Sequence, residues 1–258
     1  HPPGLVGPFG SAAASATVLA LDAQQTRMAL GMAASRAGGL TANTGTMVKS
    51  THPGNAARMG TEAAMLAQAG YTGNEDILEA PRGYAEAFFQ GSVDWDVVTD
   101  GLGATYRLVD PGFDIKRFPA QIHMQRSIEA VINLRQGHDV QAHLVETLEV
   151  RTSDRGHSGP APRSGLDGKF SIVYYAAAAL LDRHVGIETF TDERRFAGDM
   201  EETLPRVTVV PTQEVAGARA IATLKDGRTL SGICRDFRGS VANPMSRERE
   251  RLRIDLRG

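Results

Sequence analysis

Three cations fall in one short stretch, Gly45-Thr-Met-Val-Lys-Ser-Thr-His-Pro-Gly-Asn-Ala-Ala-Arg-Met-Gly60: Lys49, His52 and Arg58. Asn55 reads as the N-cap of a helix whose Ala-rich body runs to Gly70, a natural C-terminal stop. The first turn of a helix offers unpaired N–H groups and the positive end of a dipole. With a lysine, a histidine and an arginine around it, such a place suits a carboxylate or phosphate. A solvated turn whose cations decorate the surface is the plain alternative.

The rest of the composition narrows the chemistry. Cys234 is the lone cysteine, so no intrachain disulfide and no thiolate-held iron–sulfur cluster can form. It reads as a partly buried strand residue, not a nucleophile. The histidines (His1, His52, His123, His138, His143, His157 and His184) form no His-Glu-x-x-His and no tight His/Cys cluster, so no zinc site is expected. There is no Gly-x-x-x-x-Gly-Lys-Ser/Thr, and Gly101-Leu-Gly103 is only a loop signal. Lys plus Arg (28) nearly balances Asp plus Glu (30), and a net charge of −2 gives no argument for nucleic acid or an anionic membrane. The runs Ser11–Leu21 and Tyr174–Leu181 are too short and Ala-rich to span a bilayer. No signal-peptide pattern is present, and the expected location is the cytoplasm.

Elements that would position these residues follow from periodicity and caps. At 258 residues the chain can bury a large core in one or two domains. Residues 1–112 read as an all-helical domain portion: Ser11–Leu21, a helix capped by Asp22 and ending at Gly38-Gly39, the helix after Asn55, and a short one at Arg82–Phe89. Residues 113–243 read as a smaller, lid-like α+β domain. Gln125–Arg135 and Ser171–Asp182 are its helices, and Ala142–Thr152, Arg206–Pro211 and Arg219–Asp236 hold its strands. The last of these turns at Lys225-Asp226-Gly227. From Pro244 the chain is expected to return to the helical part, with Arg247–Leu256 a charged helix candidate whose charges read as a solvated face.

Several blocks together resemble the MmgE/PrpD family, which includes 2-methylcitrate dehydratase and cis-aconitate decarboxylase. They are His1-Pro-Pro-Gly…Pro8-Phe-Gly10-Ser-Ala-Ala-Ala, Ala29-Leu-Gly-Met-Ala-Ala-Ser…Ala-Gly-Gly39, and Thr46-Met-Val-Lys49…His52-Pro-Gly…Ala-Ala-Arg58…Gly60, the most specific. Ile115-Lys116-Arg-Phe-Pro119, Lys169-Phe-Ser-Ile-Val-Tyr174 through Leu181, and Val241-Ala-Asn-Pro244-Met-Ser follow in the family's order. The resemblance covers nearly the whole chain. It also implies that the chain corresponds to the middle of a longer family member. The N-terminal helical segment and the end of the C-terminal one, with an Asp that lines the family's cleft, have no counterpart here.

The resemblance implies a cofactor-independent lyase acting on a small di- or tricarboxylate. Such chemistry needs cations for the carboxylates, and an acid and a base of tuned pKa for the protons. Nominated as catalytic are His1, Lys49, Lys116 and Tyr174, and as substrate-binding His52, Arg58, Gln121 and His123. Each has a plainer reading. His1 frays, and Lys49 is a surface lysine. Lys116 is one too, with Arg117 as its solvated partner. Tyr174 packs its ring while Tyr175 is exposed. His52 structures the turn before Pro53, and Arg58 braces the loop. Decarboxylase-like members tend to carry a histidine where Gln121 stands, and some have one before the serine where Phe170 stands. Both departures, with His123 two residues later, weigh against decarboxylation and are closer to 2-methylcitrate-type dehydration (a hydro-lyase), while an iminodisuccinate-epimerase-like reaction stays open. A non-catalytic module with an incomplete cleft is the reading from another class. The expected site is a cleft with His1 and Lys49 on one wall and Lys116 and Tyr174 on the other. The expected assembly is a homodimer.

Overall fold

Small residues set the packing of the first hundred residues. The computed structural model describes residues 1–154, 161–212 and 217–246. The chain divides into two compact units, His1–Leu102 and Gly103–Gly258. In the first, α1 (Pro2–Val18), α2 (Ala23–Arg36) and α3 (Met47–Gln68) pack around Ala12, Met28, Ala29, Ala33, Ala63, Ala64 and Ala67. Side chains that stop at Cβ let helix backbones approach closely. At Gly60 of α3 even a Cβ would sit 2.3 Å from the Pro8 carbonyl oxygen of α1. Asp22 caps α2 as expected, in a reciprocal box with Gln25. Two short helices, α4 (Tyr84–Phe89) and α5 (Trp95–Thr99), close the unit. The Tyr84 hydroxyl donates to the Leu5 carbonyl at 2.9 Å.

Two helices begin earlier than caps and prolines suggest. The first starts at Pro2, well before Ser11, because proline in the first turn is pre-set for the helix and gives up no needed donor. Pro8 inside it has no N–H for the Gly4 carbonyl. That carbonyl instead accepts from the Gly38 N–H at 3.0 Å, which ties the end of the α2 segment to the start of α1. The third helix starts at Met47, with Thr46 as N-cap, and runs through Pro53 and Asn55; Asn55 is therefore not its cap.

The second unit is α+β. It contains α6 (Gln125–His138), β1 (Val145–Thr152), α7 (Ile172–Asp182), α8 (Asp192–Arg195), α9 (Gly198–Thr203), β2 (Val207–Pro211), β3 (Ala218–Leu224) and β4 (Thr229–Cys234). The strands form one sheet in the order β2-β1-β3-β4. β1 runs parallel to β2, with Leu148 opposite Val207, and antiparallel to β3; β3 and β4 form the hairpin expected at Lys225-Asp226-Gly227. Helix α6 lies on β4 where Gly232 admits it: a Cβ there would be 2.4 Å from the Ala130 carbonyl oxygen. Residues Ile172 to Leu180 of α7 are buried all round, as an Ala-rich core helix should be. The helix candidate at Arg247–Leu256 lies outside the described residues. Among the described residues, no helix is long and apolar enough to cross a membrane.

Candidate functional site

In the first unit the structure brings His1 and His52 together. His1 stands at the N-cap of α1 and His52 lies on α3. Their Nδ1 atoms are 3.0 Å apart and their ring centroids 5.0 Å apart. His52 is buried and His1 half-buried. The His1 amino nitrogen donates to the Gly39 carbonyl at 2.9 Å. Gly39 has φ of +134°, and a Cβ on it would come within 3.1 Å of His52 Nδ1. His1 is therefore seated rather than frayed.

Lys49 is half-buried and sits one turn before His52 on the same helix. Because α3 begins at Met47, Lys49 itself belongs to the first turn. Lys49 thus lies at the positive end of the α3 dipole, where an anion is favoured. Arg58 is further along. It pairs with Glu62 at 2.8 Å, and Glu62 also binds Arg36 of α2, whose hydrogen bond holds the carboxyl below its ordinary range. Arg58 thus braces α2 against α3, which is its plainer reading. A cavity of about 590 Å³ beside this network is lined by Met32, Arg36, Glu62, Met65 and Ile77, among others, and none of the nominated residues lines it.

In the second unit Lys116 is exposed and its neighbour Arg117 is half-buried. Arg117 pairs with Glu129 at 2.6 Å and lies over the Phe118 ring, so it is not the solvated partner expected. The segment is held by Gln125. This buried amide accepts from the Phe118 N–H at 2.9 Å and donates back to the Phe118 carbonyl at 3.0 Å. The Gln121 N–H donates to the Lys169 carbonyl at 3.3 Å, which joins the Lys116 block to the block that opens α7. His123 is exposed in the turn before α6. Sequence reasoning passed over Gln125 and Lys169 as positioning groups. Lys169 stood inside a quoted block, whereas nothing in the sequence marked Gln125.

Tyr174 does not present its phenol to solvent. It is wholly buried, its hydroxyl donates to the Thr189 carbonyl, and burial pushes its pKa up to about 12. In this geometry the phenol is engaged with the backbone of its own unit. Tyr175 is also wholly buried, against the expectation that it would be exposed, and burial holds its phenol well above the ordinary tyrosine value. Among the described residues, no three His, Cys, Asp or Glu side chains form a metal-binding group.

Residues 1–96 match the family model described as the MmgE/PrpD N-terminal domain, and residues 118–251 match the MmgE/PrpD C-terminal domain. The chain belongs to the MmgE/PrpD family. It is 30% identical to human cis-aconitate decarboxylase over 260 residues, 96% of this chain and 54% of that protein. It is 32% identical to the mouse enzyme of the same name over 263 residues, again 96% of this chain and 53% of the relative. The cis-aconitate decarboxylase of Aspergillus terreus is 25% identical over 276 residues. The chain spans about half the length of the curated relatives it matches. These relatives weigh against the preference for dehydration drawn from Gln121 and Phe170. Two positions in a divergent family are a weaker guide to reaction type than similarity along nearly the whole chain.

Proposed function

We propose that this chain carries part of a cofactor-independent carboxy-lyase acting on a small tricarboxylate of the cis-aconitate type. The observation that carries the reading is the similarity to cis-aconitate decarboxylases over 96% of the chain. The His1–His52 contact supports it, because decarboxylation of an unsaturated acid needs a proton delivered to carbon as CO2 leaves. In this reading His1 and His52 handle that proton. Lys49, one turn before His52 on α3, holds a carboxylate that does not react. Tyr174 has no chemical role.

Dehydration of a 2-methylcitrate-type substrate is the second reading, and the Gln121/His123 spacing favours it. A panel of carboxylates, followed by CO2 release and by absorbance of the enoate, separates the two. CO2 from cis-aconitate supports decarboxylation. Enoate formation from a hydroxy tricarboxylate without CO2 supports dehydration. Neither signal, with a folded chain, supports a non-catalytic module. Chelators are expected to leave any turnover unchanged, checked by assaying before and after dialysis against EDTA.

A further inference from the structure

We infer that His1 and His52 act as one proton-sharing unit and that Gly39 is its positioning residue; this rests on the reading of the two histidines as the proton-handling groups. Two ring nitrogens 3.0 Å apart cannot both present lone pairs, nor both present N–H groups. One ring must hold the Nδ1 proton and the other must accept it. In the uncharged pair the donor ring is left with a bare Nε2, a base, and the acceptor ring with an Nε2–H, an acid.

A proton taken up at the first Nε2 is balanced in two moves. The Nδ1 proton crosses the bridge, and the second ring releases its Nε2 proton. No bond other than N–H changes, no net charge accumulates, and the pair ends in the opposite tautomer. The unit can therefore pass a proton from solvent to a reacting carbon, or the reverse, in one concerted relay.

Residues 2–18 of α1 and residues 37–46 contribute no side-chain charge. The charged residues on α2 and α3, besides His52, are Arg27, Arg36, Lys49, Arg58 and Glu62, and both Arg36 and Arg58 are bound to Glu62.

Gly39 touches both partners. Its carbonyl accepts from the His1 amino nitrogen, and its Cα lies where a Cβ would press on three atoms of the His52 ring, between 3.1 and 3.3 Å. Its φ of +134° is one that other residues rarely adopt. Gly38, hydrogen-bonded to the Gly4 carbonyl that Pro8 leaves open, fixes the approach.

The test is nitrogen NMR of the full chain with 15N-labelled histidine at neutral pH. The expected result is one ring protonated at Nδ1, the other at Nε2, and a scalar coupling between the two Nδ1 atoms across the hydrogen bond. The coupling should vanish in His52→Asn and weaken in Gly39→Ala. Gly39→Ala should also lower kcat on the order of tenfold or more with little change in KM. Two Nε2–H rings without coupling in the folded wild type would overturn the inference, and that measurement stands even if Gly39→Ala fails to fold. Coupling without turnover on any carboxylate keeps the shared proton and removes the functional reading. Turnover without coupling does the opposite.

Discussion

Burial holds the Tyr174 phenol up to about 12 and the Cys234 thiol up to about 12, and both values have consequences for stability. An unfolded tyrosine ionises near pH 10, whereas the folded one keeps its proton about two units longer. The unfolded chain thus gains from ionisation first. The contribution of Tyr174 is full below pH 10 and is lost as pH rises from about 10 to about 12, by roughly 1.4 kcal/mol per unit. Cys234 acts in the same direction from about pH 9, its ordinary value. Tyr174→Phe loses the hydrogen bond to Thr189 and should cost about 1 kcal/mol at pH 7. Urea unfolding at pH 7 and pH 11 should show that deficit shrink or reverse, because the variant has no phenol to ionise. An unchanged gap would mean the phenol is solvated. At Lys49 the expectation concerns binding. Lys49→Ala should weaken calorimetric binding of a tricarboxylate about tenfold or more, since a charge-assisted hydrogen bond contributes roughly 1.5–3 kcal/mol. Unchanged affinity removes this lysine from the proposed site.

At the scale of elements, two glycines in the α1–α3 pair make opposite predictions. A Cβ at Gly60 would lie 2.3 Å from the Pro8 carbonyl oxygen and 2.6 Å from the Ala12 nitrogen, both backbone atoms that cannot step aside. Gly60→Ala should therefore destabilise by roughly 1–3 kcal/mol, despite alanine's better helix propensity. Gly10 of α1 has nothing within 4 Å of its would-be Cβ, so Gly10→Ala should stabilise by about 0.5–1 kcal/mol. Thermal unfolding of the two variants checks both signs at once. The same helices show what the sequence carried. The Asp22 cap and the Lys225-Asp226-Gly227 hairpin are local devices, and each was legible. The starts of α1 and α3 were not, because proline reads as a helix breaker unless its open carbonyl finds a partner elsewhere. For the Gly4 carbonyl that Pro8 leaves open, that partner is Gly38, far along the chain beyond α2. The His1–His52 contact was hidden for the same reason: it depends on that docking. The burial of Tyr174 and Tyr175 follows from α7 being covered on every side, which an Ala-rich run without polar punctuation suggests only faintly.

For the whole molecule, the exposed apolar side chains of the helical unit predict self-association. Val18 at the end of α1, Leu40 before α3 and Met47 at its first position are 86%, 72% and 80% exposed. Single exposed apolar residues are ordinary, but several in one helical unit with an alanine core leave apolar surface to be covered. A net charge of −2 offers little repulsion against contact between copies. The driving force is apolar, so association should persist in sodium chloride and strengthen in sulfate, whereas an ion-paired interface would weaken with salt. Light scattering should give a mass that rises with concentration above the 27.6 kDa of one chain. A variant with Val18, Leu40 and Met47 all replaced by Ser should shift that rise to higher concentration while its circular dichroism stays unchanged. A constant monomer mass across the whole concentration range, with or without sulfate, would overturn the prediction.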